Sequence, residues 1–130
     1  MTVKRLSTQI ERDLYAWLLS EQSKGLVTAI EQQPMPLELP AHRCTYRPDA
    51  RCIRNGRVEY YEAKGGYIDR RGKYHSHFER WEDGLVKLKV AAEYYKDVAD
   101  FYVFERGKDQ QICITQIPTM DSKAKSKMKI

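Results

Sequence analysis

Asp49 and, thirteen residues later, Glu62-Ala63-Lys64 bring two carboxylates and an ammonium together if the chain between them folds back on itself. Two hard oxygen ligands side by side suit Mg²⁺ or Mn²⁺, whose remaining positions are filled by waters, a backbone carbonyl and substrate phosphate oxygens. An ammonium beside such an ion can hold or activate an attacking water, or neutralise charge developing on a transferring phosphate. The alternative is that Asp49 and Glu62 are solvated sheet charges balanced by Lys64 and Arg47.

The intervening residues predict the required fold-back. Cys44 to Ile53 and Arg57 to Lys64 are strand-compatible segments joined by Asn55-Gly56, the dipeptide best suited to a two-residue type I′ hairpin. With those two residues in the turn, 54 faces 57, 53 faces 58, and so outward until Asp49 faces Glu62 and Arg47 faces Lys64. Facing residues share a side of the sheet with Cβ atoms about 5 Å apart. Lys64 joins Glu62 there because strand side chains alternate with period two. Like charges placed opposite one another are destabilising, and a divalent cation would relieve the conflict.

Other segments must support this hairpin. Thr8-Gln9-Ile10-Glu11 has the form of a capping box, and Ile10, Leu14, Trp17 and Leu18 follow at helical spacing, which predicts a helix from Thr8 to Lys24 stopped by Gly25. Leu26 to Glu31 is a short strand-compatible run before Pro34, Pro36 and Pro40. Tyr67 to His77 reads as an exposed basic loop, and Phe78 to Lys96 as a second helix weakened by Gly84. Asp100 to Glu105 and Gln111 to Ile117 read as two strands around a turn at Gly107-Lys108. The residues from Asp121 read as a disordered basic tail. These elements predict one α/β domain over residues 1–120, a central mixed sheet flanked by helices, with a tail over 121–130.

Composition sets the outer limits. A chain of 130 residues with 42% hydrophobic and 32% charged residues suits one folded domain. No apolar run has the length of a membrane span, and the start, MTVKRLSTQIERD, lacks a secretory apolar core, so a cytoplasmic protein without a membrane partner is expected. Cys44, Cys52 and Cys113 show no paired spacing, and each reads as a small core residue. Residues 42–77 carry nine basic groups against four acidic, within a whole-chain charge of +5. That concentration fits a polyanion partner, and equally a solvated surface. Arg43, Arg47, Arg51, Arg54, Arg57, Arg70, Arg71 and Lys73 would hold a phosphate backbone in place rather than read its sequence.

Several residues have two readings. Glu11 either closes the capping box or flanks the helix's apolar side and looks toward the hairpin. His75 and His77 lack the further ligands that a zinc site needs, so His75 reads as a phosphate contact or as solvated. Tyr60, Tyr61, Tyr67 and Tyr74 could stack on bases or cover the sheet, and Lys87 and Lys89 either line a nucleic-acid groove or solvate a helix flank.

The motif resembles that of the PD-(D/E)XK nuclease superfamily, appearing as Pro48-Asp49 and Glu62-Ala63-Lys64-Gly65. The segments GLVTAIEQQPMPLELP, YRPDARCIRNGRVEYYEAKG and KLKVAAEYY resemble a small phage-associated branch, similar also to transposon-end endonucleases and Holliday junction resolvases. Coverage runs from Thr8 to Ile117. The resemblance implies a restriction-endonuclease-like core and a Mg²⁺-dependent (or Mn²⁺-dependent) DNA endonuclease, a hydrolase. In it Asp49, Glu62 and the Ala63 carbonyl are metal ligands, Lys64 is the catalytic lysine, and Glu11 is a third carboxylate on the metal. It also implies a glutamine near the site, where Gln32 and Gln33 stand. Ala50 departs from the large apolar residue usual after the Asp, and the basic loop is outside the shared motif.

The expected partner is DNA, cut by structure or through a targeting protein, with Arg43, Arg47, Arg70, Arg71, Lys73, His75 and Lys89 contacting the nucleic acid. Two cuts on one duplex would require a homodimer. The alternatives are a catalytically silent nucleic-acid-binding module and a protein-interaction adaptor.

Overall fold

Asn55 and Gly56 both take left-handed φ values, 53° and 78°, as a type I′ turn requires. They join strands Ala50–Arg54 and Arg57–Gly65, which pair as Arg54↔Arg57, Ile53↔Val58, Cys52↔Glu59, Arg51↔Tyr60 and Ala50↔Tyr61. This is the register that the turn dipeptide predicts. The structure, a computed structural model, describes residues 8–65, 67–68, 70–75, 83–107, 111–121 and 127–129.

In chain order the elements are α1 (Gln9–Ser23), β1 (Thr28–Gln32), β2 (Leu37–Glu38), β3 (Thr45–Tyr46), β4 (Ala50–Arg54), β5 (Arg57–Gly65), β6 (Tyr67–Ile68), β7 (Tyr74–His75), α2 (Asp83–Tyr94), β8 (Ala99–Arg106), β9 (Ile112–Gln116) and β10 (Lys127–Lys129). The main sheet runs β1-β4-β5-β8-β9-β10. Only β5 and β8 are parallel, because α2 carries the chain back between them, and the other neighbours are antiparallel.

Alternation along the strands divides the core in two. Tyr61 and Ala63 of β5 face α1 with Ala50, Cys52, Phe104 and Ile114, where Leu14 and Leu18 are buried. Tyr60 and Val58 face α2 with Phe101 and Val103, against Leu85, Leu88, Ala91 and Ala92. A mixed sheet with a helix on each face is the α/β arrangement the sequence predicts, and it aims Glu62 and Lys64 toward the α2 side.

Three expectations change. The segment Cys44 to Ile53 is two strands, because Pro48 has no N–H to give a ladder and Arg47-Pro48-Asp49 leaves the sheet between β3 and β4. The basic loop contains a two-stranded ribbon, with β6 paired to β7 as Tyr67↔His75 and Ile68↔Tyr74 around a turn with Gly72 at φ 80°. The tail expected to be disordered contains β10, which pairs with β9 as Lys127↔Thr115 and Lys129↔Cys113. An edge strand offers unpaired N–H and C=O groups, and the tail's alternating lysines do not prevent main-chain pairing there. The expected start of the second helix at Phe78, with Trp81 and His77, lies outside the described residues, as do Gly66, Lys108 and 122–126 of the tail. Among the described residues no helix is long and apolar enough to cross a membrane.

Candidate active site

Asp49 is fixed by its main chain before its side chain does anything. Its N–H donates to the Tyr61 carbonyl at 2.9 Å, and its own carbonyl accepts from the Gln33 N–H at 2.9 Å. The carboxylate then accepts the Ala63 N–H at 2.8 Å. The regular ladder therefore stops at Ala50↔Tyr61, and Asp49 does not stand opposite Glu62 as a ladder partner. It leans along the open edge of β5 instead and reaches Glu62 through its side chain. In an extended strand the N–H and C=O of one residue point to the same edge, so the Ala63 carbonyl faces the edge where Asp49 lies.

Glu62 is buried, at 8% exposure. Its Oε2 accepts from the Tyr46 hydroxyl at 2.9 Å, and its Oε1 lies 3.5 Å from Lys64 Nζ. Burial, and then the charge of Asp49, raise its pKa to about 8, and a protonated Glu62 donates to Asp49. Asp49 is raised too, chiefly by burial and less by the charge of Glu11, against the lowering pull of the Ala63 N–H and of Lys64. Burial and Glu62 push the Tyr46 hydroxyl far above its ordinary range, so it stays a donor. The buried carboxyl of Glu62 and the half-buried one of Asp49, both raised in pKa and served by one nearby ammonium, have an unmet demand for positive charge.

These residues line a cleft of about 480 Å³ together with Glu11, Gln33, Pro34, Met35, Pro36, Arg47, Pro48 and Ala63. The cleft lies where β5 ends, at the carboxyl end of the parallel pair, the usual site of ligands in α/β folds. The Thr8 hydroxyl caps α1 by accepting the Glu11 N–H at 3.3 Å, while the Glu11 carboxyl lines the cleft. Closing a capping box would require the Glu11 carboxylate to return to the Thr8 N–H; the structure gives the half of that motif in which Thr8 accepts the Glu11 N–H, and it puts Glu11 in the cleft lining.

Glu11, Asp49, Glu62, Ala63 and Lys64 thus meet at one cleft. They do not form a ready cage: among the described residues no three His, Cys, Asp or Glu side chains are grouped to hold a metal ion. Asp49 and Glu62 fit an ion that keeps most of its waters, as Mg²⁺ does. Arg47 is not opposite Lys64 in a ladder, since β4 begins at Ala50, yet both line the cleft. Arg43 is exposed in the β2–β3 connection, and Arg70, Arg71 and Lys73 are exposed between β6 and β7. His75 stands on β7, and Lys89 is half-buried on α2. Arg43, Arg70, Arg71, Lys73 and Lys89 do not line the cleft.

Of the arginines grouped with them by sequence, Arg51 lies 3.5 Å from the exposed Glu31, and Arg57 and Arg54 are held more firmly within the fold. Arg57 Nε and Nη2 donate to the Asp100 carboxylate, both at 3.1 Å. Arg54 bridges Glu59 and Glu21, each at 3.1 Å, and lies over the Trp17 ring. Tyr61 is core, with its hydroxyl on Glu59 at 2.7 Å.

Tyr46 and the Pro34-Met35-Pro36 segment were not legible as site residues. By simple hairpin register Tyr46 would face Gly65, and only the break at Pro48 turns its hydroxyl onto Glu62. Gln33 was reachable by resemblance alone. No family model matches this chain, and no curated protein matches it significantly.

Proposed function

We propose that this chain is a Mg²⁺-dependent DNA endonuclease with a restriction-endonuclease-like core, hydrolysing phosphodiester bonds in phage or mobile-element DNA. The observation that carries the reading is the meeting of Asp49, Glu62 and Lys64 at one cleft, with Lys64 Nζ 3.5 Å from Glu62 and both carboxyls raised in pKa. The order of helix, antiparallel strands bearing Asp49 and Glu62-Ala63-Lys64, helix and parallel strand supports the PD-(D/E)XK resemblance.

Asp49, Glu62 and the Ala63 carbonyl would hold the ion, which when bound would polarise the phosphate and acidify a water. Tyr46 holds the Glu62 carboxyl in one orientation, and the three main-chain and side-chain bonds of Asp49 hold the other. Lys64 stands beside Glu62 to orient the attacking water and offset charge on the phosphate. Arg47, exposed at the cleft, suits the adjacent backbone phosphate. The exposed Arg70, Arg71 and Lys73 lie on a β-ribbon, a shape that DNA's major groove accepts.

The test incubates the protein with supercoiled plasmid, single strand and four-way junction in Mg²⁺, Mn²⁺ or EDTA, beside Lys64→Ala. Cleavage that requires both metal and Lys64 is expected. Binding without cleavage on every substrate would leave the nucleic-acid-binding module, and no binding even at low salt would leave the adaptor.

A further inference from the structure

Met35 is 84% exposed, belongs to neither core cluster, and stands at the cleft that holds Asp49, Glu62 and Lys64. A single exposed methionine is ordinary on a protein surface. The setting of this one is not. Pro34 and Pro36 lock their own φ angles, and each proline also restricts the residue before it, so Met35 is held extended between two stiff neighbours. Gln33, which leads into the segment, has φ 47°, a left-handed value uncommon for a residue with a side chain. Its N–H is bonded to the carbonyl of Asp49 at 2.9 Å. The segment is therefore fixed to the residue that carries the site's first carboxyl, and it displays an unbranched apolar side chain there from a main chain with little conformational entropy left to lose.

We infer that Met35 is a wedge that enters the base stack beside the phosphate held at the cleft, so that the chain acts on DNA whose local step is unstacked or readily opened. This rests on the nuclease reading above. Methionine and proline are among the apolar side chains that proteins insert between base steps, partly unstacking and kinking the duplex. Unstacking has to be supplied by the protein on a continuous duplex, whereas a branch point or mismatch supplies it beforehand. The rigid link from Met35 through Gln33 to Asp49 would then couple the opened step to a fixed distance from the cutting site. Branched or mismatched DNA, already open at the step, needs the wedge least and a continuous duplex needs it most, while Arg47 at the cleft would contact only phosphate.

The experiment compares the full chain with Met35→Ala and Met35→Leu on a continuous duplex and on the same sequence carrying one mismatch or a branch. Cleavage in Mg²⁺ is read for each. In parallel, 2-aminopurine placed at the step is read on a Lys64→Ala background, which binds without cutting. The expected result is that Met35→Ala reduces cleavage of the continuous duplex by a factor roughly tenfold greater than its reduction on the branched DNA, and that it abolishes the fluorescence rise. Met35→Leu should restore both. Equal losses on the two substrates, or a fluorescence rise unaffected by Met35→Ala, would overturn the wedge while leaving the nuclease standing. A Met35-dependent rise with no cleavage by the unmodified protein would support the wedge and sink the nuclease reading, and absence of DNA binding would sink both.

Discussion

Replacing Glu62 by Gln in metal-free protein should make the fold more stable at alkaline pH and leave it nearly unchanged in acid. The Glu62 carboxyl ionises at about 8 in the folded chain, against an ordinary value of 4.5. A group whose folded pKa is raised lends its full stabilisation below the unfolded value and loses it as pH climbs through the folded one. Stability of the unmodified protein should therefore fall from about pH 4.5 to about pH 8 and level off above. One pH unit of such displacement corresponds to about 1.4 kcal/mol. With the titration of Glu62 tied to that of Asp49, the loss is on the order of 3 to 5 kcal/mol, which in a domain of this size lowers Tm by roughly 10 °C or more.

Gln reproduces the protonated state. Its carbonyl can accept from Tyr46 and its NH₂ can donate to Asp49, as the neutral carboxyl does. It gives up the Lys64 contact at 3.5 Å, a partly exposed pair worth less than about 1 kcal/mol. The assay is thermal unfolding of both proteins in EDTA from pH 5 to 9, repeated with saturating Mg²⁺. The difference between the two Tm curves cancels the titrating groups other than Asp49, which responds to Glu62 directly. It should open with pH in EDTA and narrow in Mg²⁺, because the ion stabilises only the form with both carboxylates, by about 2.7 kcal/mol at a hundred times its Kd. A Tm difference that is flat with pH, or equal stabilisation of both proteins by Mg²⁺, would refute the account of the site.

Tyr46→Phe should leave the fold intact, since the ring packs in the α2-side core, while weakening Mn²⁺ binding by roughly tenfold as Glu62 loses its orienting donor, measurable by titration calorimetry. Gly56→Ala should cost about 1 to 2 kcal/mol in chemical denaturation from its φ of 78° alone, because an added Cβ meets nothing within 4 Å. Arg54→Ala should cost more, about 3 kcal/mol in the same measurement, because Glu59 is buried and would lose its cationic partner. Arg51→Ala should be nearly silent, since its partner Glu31 is exposed and the contact is 3.5 Å.

Asn55-Gly56 determines the hairpin because a two-residue turn with both φ values positive admits one register, and that is local chemistry readable from the chain. The same locality placed Glu62 and Lys64 on one side of β5 and capped α1 at Thr8. It failed where a residue's partner is chosen by packing. Asp49 meets Glu62 by leaning along the strand edge, because Pro48 interrupts the ladder and the Ala63 N–H captures the carboxylate. Tyr46 finds Glu62 across sixteen residues only because β3 leaves the main sheet to pair with β2. Arg54 and Arg57 looked like phosphate ligands in composition, and burial beside Glu59 and Glu21 in one case and pairing with Asp100 in the other gave them structural partners.

The sequence by itself therefore determined the hairpin register from Arg54↔Arg57 out to Ala50↔Tyr61 and the chemical types gathered beyond it. Tertiary structure decided which groups are desolvated together, and hence that two carboxyls are raised in pKa at a cleft with Lys64, Glu11 and Met35 around it. Register follows from turn geometry a few residues long, whereas pKa and access follow from what the sheet, α1 and the proline segment exclude from water, and those lie far apart in the chain.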